Sequence, residues 1–151
     1  MRKVIRDKCS VTVGKLTLYW KKDRMFIRLP SERELCYLAP QITKTHFGLH
    51  RLTYLAPAAN GLLVPQETFG GKLAENATQA VARDILAHAM LSLEAHGYRI
   101  VFHVHDECVM EMPIGTGSVD EACAIMGEAP EWCRDLPLRA DGYECDAYQK
   151  S

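Results

Sequence analysis

Residues 100–112 consist of two short apolar runs separated by an acidic break. The run before the break ends in Phe102 and Val104, and the run after it begins at Cys108, a composition typical of two strands. A tight turn between them would place His105, Asp106 and Glu107 at the tip of a hairpin. Because adjacent strand residues point to opposite faces, Asp106 and Glu107 could serve one site only at an irregular turn.

The acidic tip admits two interpretations. Two carboxylates beside a histidine, on a rigid hairpin between hydrophobic strands, can hold a hard divalent cation. An ordinary hairpin with a solvated acidic tip is the alternative, and these residues alone favour it, because acidic residues are common in turns.

The segment before the hairpin predicts a long amphipathic helix over 72–96. Gly97 is typical of a helix stop, and Glu75, Gln79 and Arg83 stand four apart, so they line one face. Another face carries apolar residues at helical spacing, namely Leu73, Ala77, Ala80, Val81, Ile85, Ala89 and Leu93.

These two motifs carry a resemblance. The stretch from Gly70 to Asp84, followed by a helix and then by Val104-His105-Asp106-Glu107, resembles the C-terminal palm of family A (polymerase I type) DNA polymerases, most closely the phage and prophage branch. The resemblance runs from about Leu29 to the C-terminus. It implies an α+β fold, with residues 1–151 forming a single palm-like domain.

The resemblance also implies roles for individual residues. Asp106 and Glu107 would be catalytic and would bind Mg²⁺, Glu107 as the weaker ligand, and His105 would contact the primer terminus. Gln79 and Glu75 would face the minor groove of the primer–template. Arg83 would orient the hairpin carboxylates or a phosphate. A solvated helix face with a salt bridge is the alternative for Gln79 and Arg83.

Nucleotidyl transfer in this family joins a primer 3′ hydroxyl to a dNTP and uses two Mg²⁺ ions about 3.5–4 Å apart. The family's other metal-binding motif, Asp-x-Ser-x-x-Glu, and the nucleotide-gripping Arg-x-x-x-Lys helix do not occur in this sequence. We therefore expect the isolated chain not to polymerise DNA and to need a partner chain carrying the missing fingers and palm motifs. A split subunit, a prophage remnant and a truncated chain all fit this expectation.

Two alternative functions remain open. The chain could be a non-catalytic remnant or a self-associating interaction module, because faces that pack against the rest of a polymerase would be exposed. It could also be a small phosphohydrolase that binds zinc or manganese through His103, His105, Asp106 and Glu107. The alternation of His103 with His105 ranks this last, since His103 is then expected to be a packing residue.

The composition bears on where the protein is located and on whether it binds nucleic acid. No apolar run approaches the roughly 18 residues of a membrane span, and no signal peptide is evident, so a cytoplasmic protein is expected. The net charge of −1 argues against autonomous tight binding of nucleic acid. Residues 1–35 hold ten Lys/Arg against four Asp/Glu, and residues 106–151 hold three against eleven. A DNA backbone would prefer the basic N-terminal part, although a solvated mixed surface is the alternative.

The remaining chain predicts an antiparallel sheet with a long and a short helix packed on one face. Residues 1–9 are expected to be frayed or a helix remnant, and 56–65 a loop. Strands are expected at 11–20, 25–29, 50–55 and, last, 138–143, and the strand segment beginning at Leu29 is expected to end at Ala39 and Pro40. Ser118 and Glu121 predict a capping box at the start of the short helix.

Overall fold

The computed structural model describes residues 1–44 and 50–148. The chain divides into two compact units, an N-terminal unit of Met1–Val81 and a C-terminal unit of Ala82–Ser151. Both are built from antiparallel strands and helices, which confirms the α+β class. The strands of the described residues form two separate sheets, of six and two strands, where a single sheet was expected.

The six-stranded sheet belongs to the N-terminal unit, and its strands follow one another in chain order. All five strand pairs are antiparallel. The strands are β1 (Val11–Val13), β2 (Leu16–Lys21), β3 (Arg24–Arg28), β4 (Glu34–Lys44), β5 (His50–Pro57) and β6 (Leu63–Thr68).

Three strand predictions are wrong in detail. The strand expected over 11–20 is broken by a turn at Gly14, whose φ of +57° is readily adopted by glycine. β4 continues past Ala39 and Pro40 through a register shift between Leu38 and Gln41. β6 occupies part of the expected 56–65 loop. Its proline does not interrupt it, because β6 lies at the edge of the sheet, where a missing N–H is tolerated.

The core of the N-terminal unit lies against one face of this sheet. The first helix, α1 (Arg2–Asp7), contributes Val4 and Ile5, which are 0% and 7% exposed, so of the two forms expected for residues 1–9 the helix is found and the frayed start is not. The long helix α2 (Gly70–Ala95) contributes small and apolar residues from its first turns. The buried members of this core are Val4, Ile5, Met25, Ile27, Leu29, Tyr37, Leu52, Leu73, Ala77 and Ala80.

The end of α2 has the geometry that Gly97 predicts. Gly97 has a φ of +87°. Its N–H donates to the carbonyl of Glu94 at 3.0 Å, and the N–H of Tyr98 donates to the carbonyl of Leu93, also at 3.0 Å. These two bonds form a Schellman motif, which satisfies carbonyls that the helix leaves unpaired. The chain is thereby turned out of the helix and into the next strand.

The C-terminal unit contains a two-stranded sheet, β7 (Ile100–Val104) and β8 (Glu107–Met110), the helix α3 (Val119–Met126) and a short 3-10 helix (Glu131–Cys133). Its core combines Leu93 and Tyr98 with Ala122 and Ile125 of α3. No strand forms over 138–143, so that prediction is wrong. Among the described residues, no helix is both long and apolar enough to span a membrane.

The start of α3 is a capping box with a third member. The hydroxyl of Ser118 accepts the N–H of Glu121 at 3.1 Å, as predicted. The reciprocal bond is replaced, because the N–H of Ser118 donates to the hydroxyl of Tyr98 at 3.1 Å, and that hydroxyl donates to the Glu121 carboxylate at 2.6 Å. Tyr98 therefore fixes the start of α3 to the segment that enters β7.

Candidate active site at the hairpin tip

The hairpin turn consists of two residues. Val104 and Glu107 pair across the strands, which leaves His105 and Asp106 as the turn. His105 has a φ of +52°, and a positive φ at the first turn residue matches the right-handed twist of a hairpin. Histidine is among the non-glycine residues that tolerate this conformation best. Glu107 begins β8, so the predicted acidic tip is confirmed for Asp106, while Glu107 lies at its edge.

The strands of the hairpin pack against the core of the C-terminal unit. Ile100 of β7 and Cys108 and Met110 of β8 pack against the buried cluster around Leu93 and Tyr98. Burial raises the pKa of the Cys108 thiol, against a smaller opposing effect of Arg83. Cys108 is therefore a packing residue and a poor nucleophile at neutral pH. The two turn residues are therefore joined to strands that pack against this core.

The turn side chains face solvent. His105 and Asp106 are exposed, and Glu107 is half-buried. The Asp106 carboxylate makes no hydrogen bond or ion pair with any residue in the described part of the chain. Glu107 differs, because its Oε2 accepts a hydrogen bond from the Tyr148 hydroxyl at 3.4 Å. One carboxylate is thus open to a ligand and its neighbour is held by the chain.

The sequence interpretation of His103 is wrong. His103 is exposed and does not pack in the core, and its Nε2 lies 3.3 Å from Nη2 of Arg83 on α2. Guanidinium has only donors, so Nε2 of His103 is the acceptor in this hydrogen bond. Arg83 therefore contacts the hairpin through a histidine, and its expected role of orienting the hairpin carboxylates or a phosphate stays a prediction.

The other helix residues with predicted roles belong to the N-terminal unit. Glu75 and Gln79 are exposed and bonded to each other, with Gln79 Nε2 3.3 Å from Glu75 Oε1. Lys72 forms an ion pair with the same carboxylate at 3.0 Å. These are the contacts of a solvated helix face, and they leave the predicted DNA-binding role of Glu75 and Gln79 a prediction.

The hairpin can supply only part of a cation site. Within residues 1–44 and 50–148, no three His, Cys, Asp or Glu side chains gather as a metal site would require. This finding gives no support to the zinc or manganese hydrolase alternative. Mg²⁺ differs, because it keeps several waters and often takes one or two carboxylates together with substrate phosphates. The oxygen donors of Asp106 and Glu107 fit such a partial site.

Sequence reasoning missed two residues at this site, Phe102 and Tyr148. The Tyr148 ring lies edge-on to the Phe102 ring, with centroids 5.1 Å apart. Burial raises the pKa of the Tyr148 hydroxyl, and the negative charge of Glu107 and its hydrogen bond add to the rise. A tyrosine near the end of the chain gives no sequence signal for this contact, because its partners lie far from it along the chain, well outside the window of any periodic pattern.

Together the fold and the hairpin define a class of site: an exposed carboxylate on a two-residue turn, with a second carboxylate and an arginine-bound histidine beside it. The sequence of the chain is also similar to that of a known protein. The chain is 43% identical over 136 residues to a protein named DNA polymerase from Bacillus phage SP02. This alignment covers 89% of the chain but only 21% of the phage protein. No protein-family model matches the chain, and no solved structure matches it.

Proposed function

We propose that this chain is the palm portion of a family A DNA-directed DNA polymerase of the phage branch, acting in template-directed nucleotidyl transfer. The 43% identity to the phage DNA polymerase is the observation that carries this proposal. The exposed Asp106 on a rigid turn is consistent with it. Because the chain spans about a fifth of that relative, the remaining motifs would come from a partner chain or from the rest of a longer protein.

In this proposal Asp106 and Glu107 hold Mg²⁺, which would stabilise negative charge on the reacting phosphate. Asp106 presents its carboxylate from the turn, and Glu107 contributes from the first position of β8. His105, the other turn residue, contacts the primer terminus. These roles need a partner that brings further carboxylates and the nucleotide.

The helix residues position DNA in the same proposal. Gln79 and Glu75 face the minor groove, and their mutual hydrogen bond presents the Gln79 carbonyl and the Glu75 carboxylate as one polar surface. Arg83 acts through His103, because its guanidinium holds that imidazole beside the turn of the hairpin. The primer–template and a dNTP are the partners implied by this arrangement.

The decisive experiment is a chimera. Residues of the SP02 polymerase that align with this chain are replaced by this chain, and primer extension is measured. We expect activity in the chimera, none in the isolated chain, and a loss of roughly a hundredfold or more for Asp106→Asn, because a metal ligand supplies several kcal/mol of transition-state stabilisation. Glu111→Gln, which removes an exposed carboxylate that pairs with Arg99, is the matched control. An active Asp106→Asn chimera would reject the proposal.

A second candidate function is a self-associating interaction module, and the edge of the large sheet favours it. Within the described part of the chain, β6 has no neighbour on its outer side, and its Leu63 and Val64 are 53% and 40% exposed. Unpaired edge strands with apolar side chains tend to pair with a second copy. Light scattering would distinguish this function, since a dimer that Val64→Lys dissociates supports it and a monomer at all concentrations rejects it.

A further inference from the structure

The last part of the chain is held against the C-terminal unit at two places. The first is Gly142, where the tail crosses α3. A Cβ at Gly142 would lie 3.2 Å from Cγ1 of Val119 and 3.3 Å from Sγ of Cys123. These separations are tighter than ordinary van der Waals contact. The backbone therefore approaches α3 as closely as it does because residue 142 has no side chain.

The second place is the hairpin itself. The Tyr148 ring packs at 74° against the ring of Phe102, a residue that is 39% exposed even with this contact. The Tyr148 hydroxyl donates to Oε2 of Glu107 at 3.4 Å. Phe102 lies on β7 and Glu107 on β8, so one tail residue bridges both strands. Edge-on ring contacts of this kind favour one orientation of the tyrosine.

We propose that residues 136–148 form a strap across the C-terminal unit and that Tyr148 is a positioning residue, which fixes the Glu107 carboxylate at the start of β8. The role assigned to Glu107 rests on the proposed function, whereas the strap does not. A glutamate side chain at the start of a strand has several bonds about which it can rotate. A hydrogen bond from a group that is itself fixed restricts these rotations, as the partners of metal-binding carboxylates commonly do.

The contact is tested first by NMR of the full-length chain with ¹³C-labelled aromatic rings. Because the ring centroids of Phe102 and Tyr148 lie 5.1 Å apart, nuclear Overhauser effects are expected between their ring protons. The absence of these effects would overturn the proposed contact.

The strap is tested by backbone NMR relaxation. Tyr148→Ala is expected to lower the order parameters of residues 143–148 from those of a fixed backbone to those of a flexible one. Gly142→Val should also lower these order parameters, because its side chain would collide with Val119 and Cys123 without touching the hairpin. Glu144→Gln, at an exposed position of the same tail, is the control. Unchanged order in Tyr148→Ala would contradict the strap.

The positioning role is tested in the active chimera. Tyr148→Phe keeps the ring contact and removes the hydroxyl, so we expect a roughly tenfold lower kcat with an unchanged KM for primer–template. If Asp106→Asn abolishes extension and Tyr148→Phe matches the wild type, the positioning role is wrong. If Asp106→Asn retains full activity, the proposed function and the positioning role are both rejected, and the strap is judged by NMR alone.

Discussion

At the scale of single residues, Glu32 shows how a turn can force a side chain into a strained backbone conformation. Glu32 adopts a φ of +65°, a region that glycine occupies at little cost. The N–H of Glu32 donates to the carbonyl of Leu29 at 3.0 Å, which closes the turn. A residue with a Cβ therefore occupies a conformation that costs such residues about 1–2 kcal/mol.

Replacing Glu32 by glycine is consequently expected to stabilise the chain. Removing the Cβ relieves the left-handed strain, and the greater flexibility of glycine in the unfolded chain offsets part of the gain, so Glu32→Gly should raise the free energy of unfolding by about 0.5–1 kcal/mol. Urea denaturation measures it. Glu32→Gln also removes the exposed ion pair with Arg28 at 3.8 Å but keeps the strain. Equal stability of the Glu32→Gly and Glu32→Gln variants would contradict this account.

Tyr98 gives the residue-scale prediction for pH. Its hydrogen bond to Glu121 raises the pKa of its hydroxyl, with burial adding to the rise, while its bond with Ser118 acts in the opposite direction. A raised pKa in the folded state means that, as the pH rises, the Tyr98 hydroxyl loses its proton in the unfolded chain before it does so in the folded chain. The stability that this hydroxyl contributes is therefore fully present below about pH 10, the ordinary tyrosine value, and is lost as the pH rises through the folded-state pKa.

The measurement compares urea midpoints at two pH values, one well below the ordinary tyrosine pKa and one above it, for the wild type and Tyr98→Phe. We expect Tyr98→Phe to be less stable at the lower pH, because the capping box loses its third member, and to lose less stability between the two pH values. Other tyrosines and lysines titrate equally in both proteins. Parallel pH profiles would show that Tyr98 is not responsible.

At the scale of elements, α1 is the clearest case of structure that a short sequence pattern hides. Four of the six residues of α1 are charged, so its sequence shows almost no amphipathic pattern. Val4 and Ile5 are nevertheless buried against the sheet. Ile5→Ala is expected to cost about 2–3 kcal/mol in the free energy of unfolding, because it leaves a cavity in the core. Lys3→Ala, on the exposed side of the same helix, should change it by less than about 0.5 kcal/mol. Thermal or urea unfolding of both variants measures the difference.

The elements that the sequence predicted best are those with strong periodic signals. α2 and its stop at Gly97 are confirmed, as are both strands of the hairpin and the Ser118 cap, because each depends on neighbours within a few positions. β6 was missed because a proline and a glycine dominate its surroundings, and only its place at the sheet edge makes the proline acceptable. At the site, Asp106 on a turn was predictable, whereas the Arg83–His103 and Tyr148–Glu107 contacts depend on tertiary folding.

At the scale of the whole molecule, all six cysteines are free thiols, and only Cys36 and Cys145 are exposed. Oxidation should therefore join chains and should not lock the fold. We expect reductant to leave the urea midpoint of the monomer unchanged, and mild oxidation to give dimers on a non-reducing gel. These dimers should disappear in a Cys36→Ser, Cys145→Ser double variant and persist in Cys133→Ser, whose thiol is buried. An internal disulfide in the monomer would contradict this prediction.

The two-residue turn between Val104 and Glu107 has a consequence for how this region can vary. In a hairpin this short, turn length dictates strand pairing, and one inserted residue would exchange the inward and outward faces of β8. Cys108 and Met110 would then lose the packing that anchors the strand. Libraries built on this chain should therefore treat the number of residues between the strands as fixed, and should restrict position 105 to residues that tolerate a positive φ.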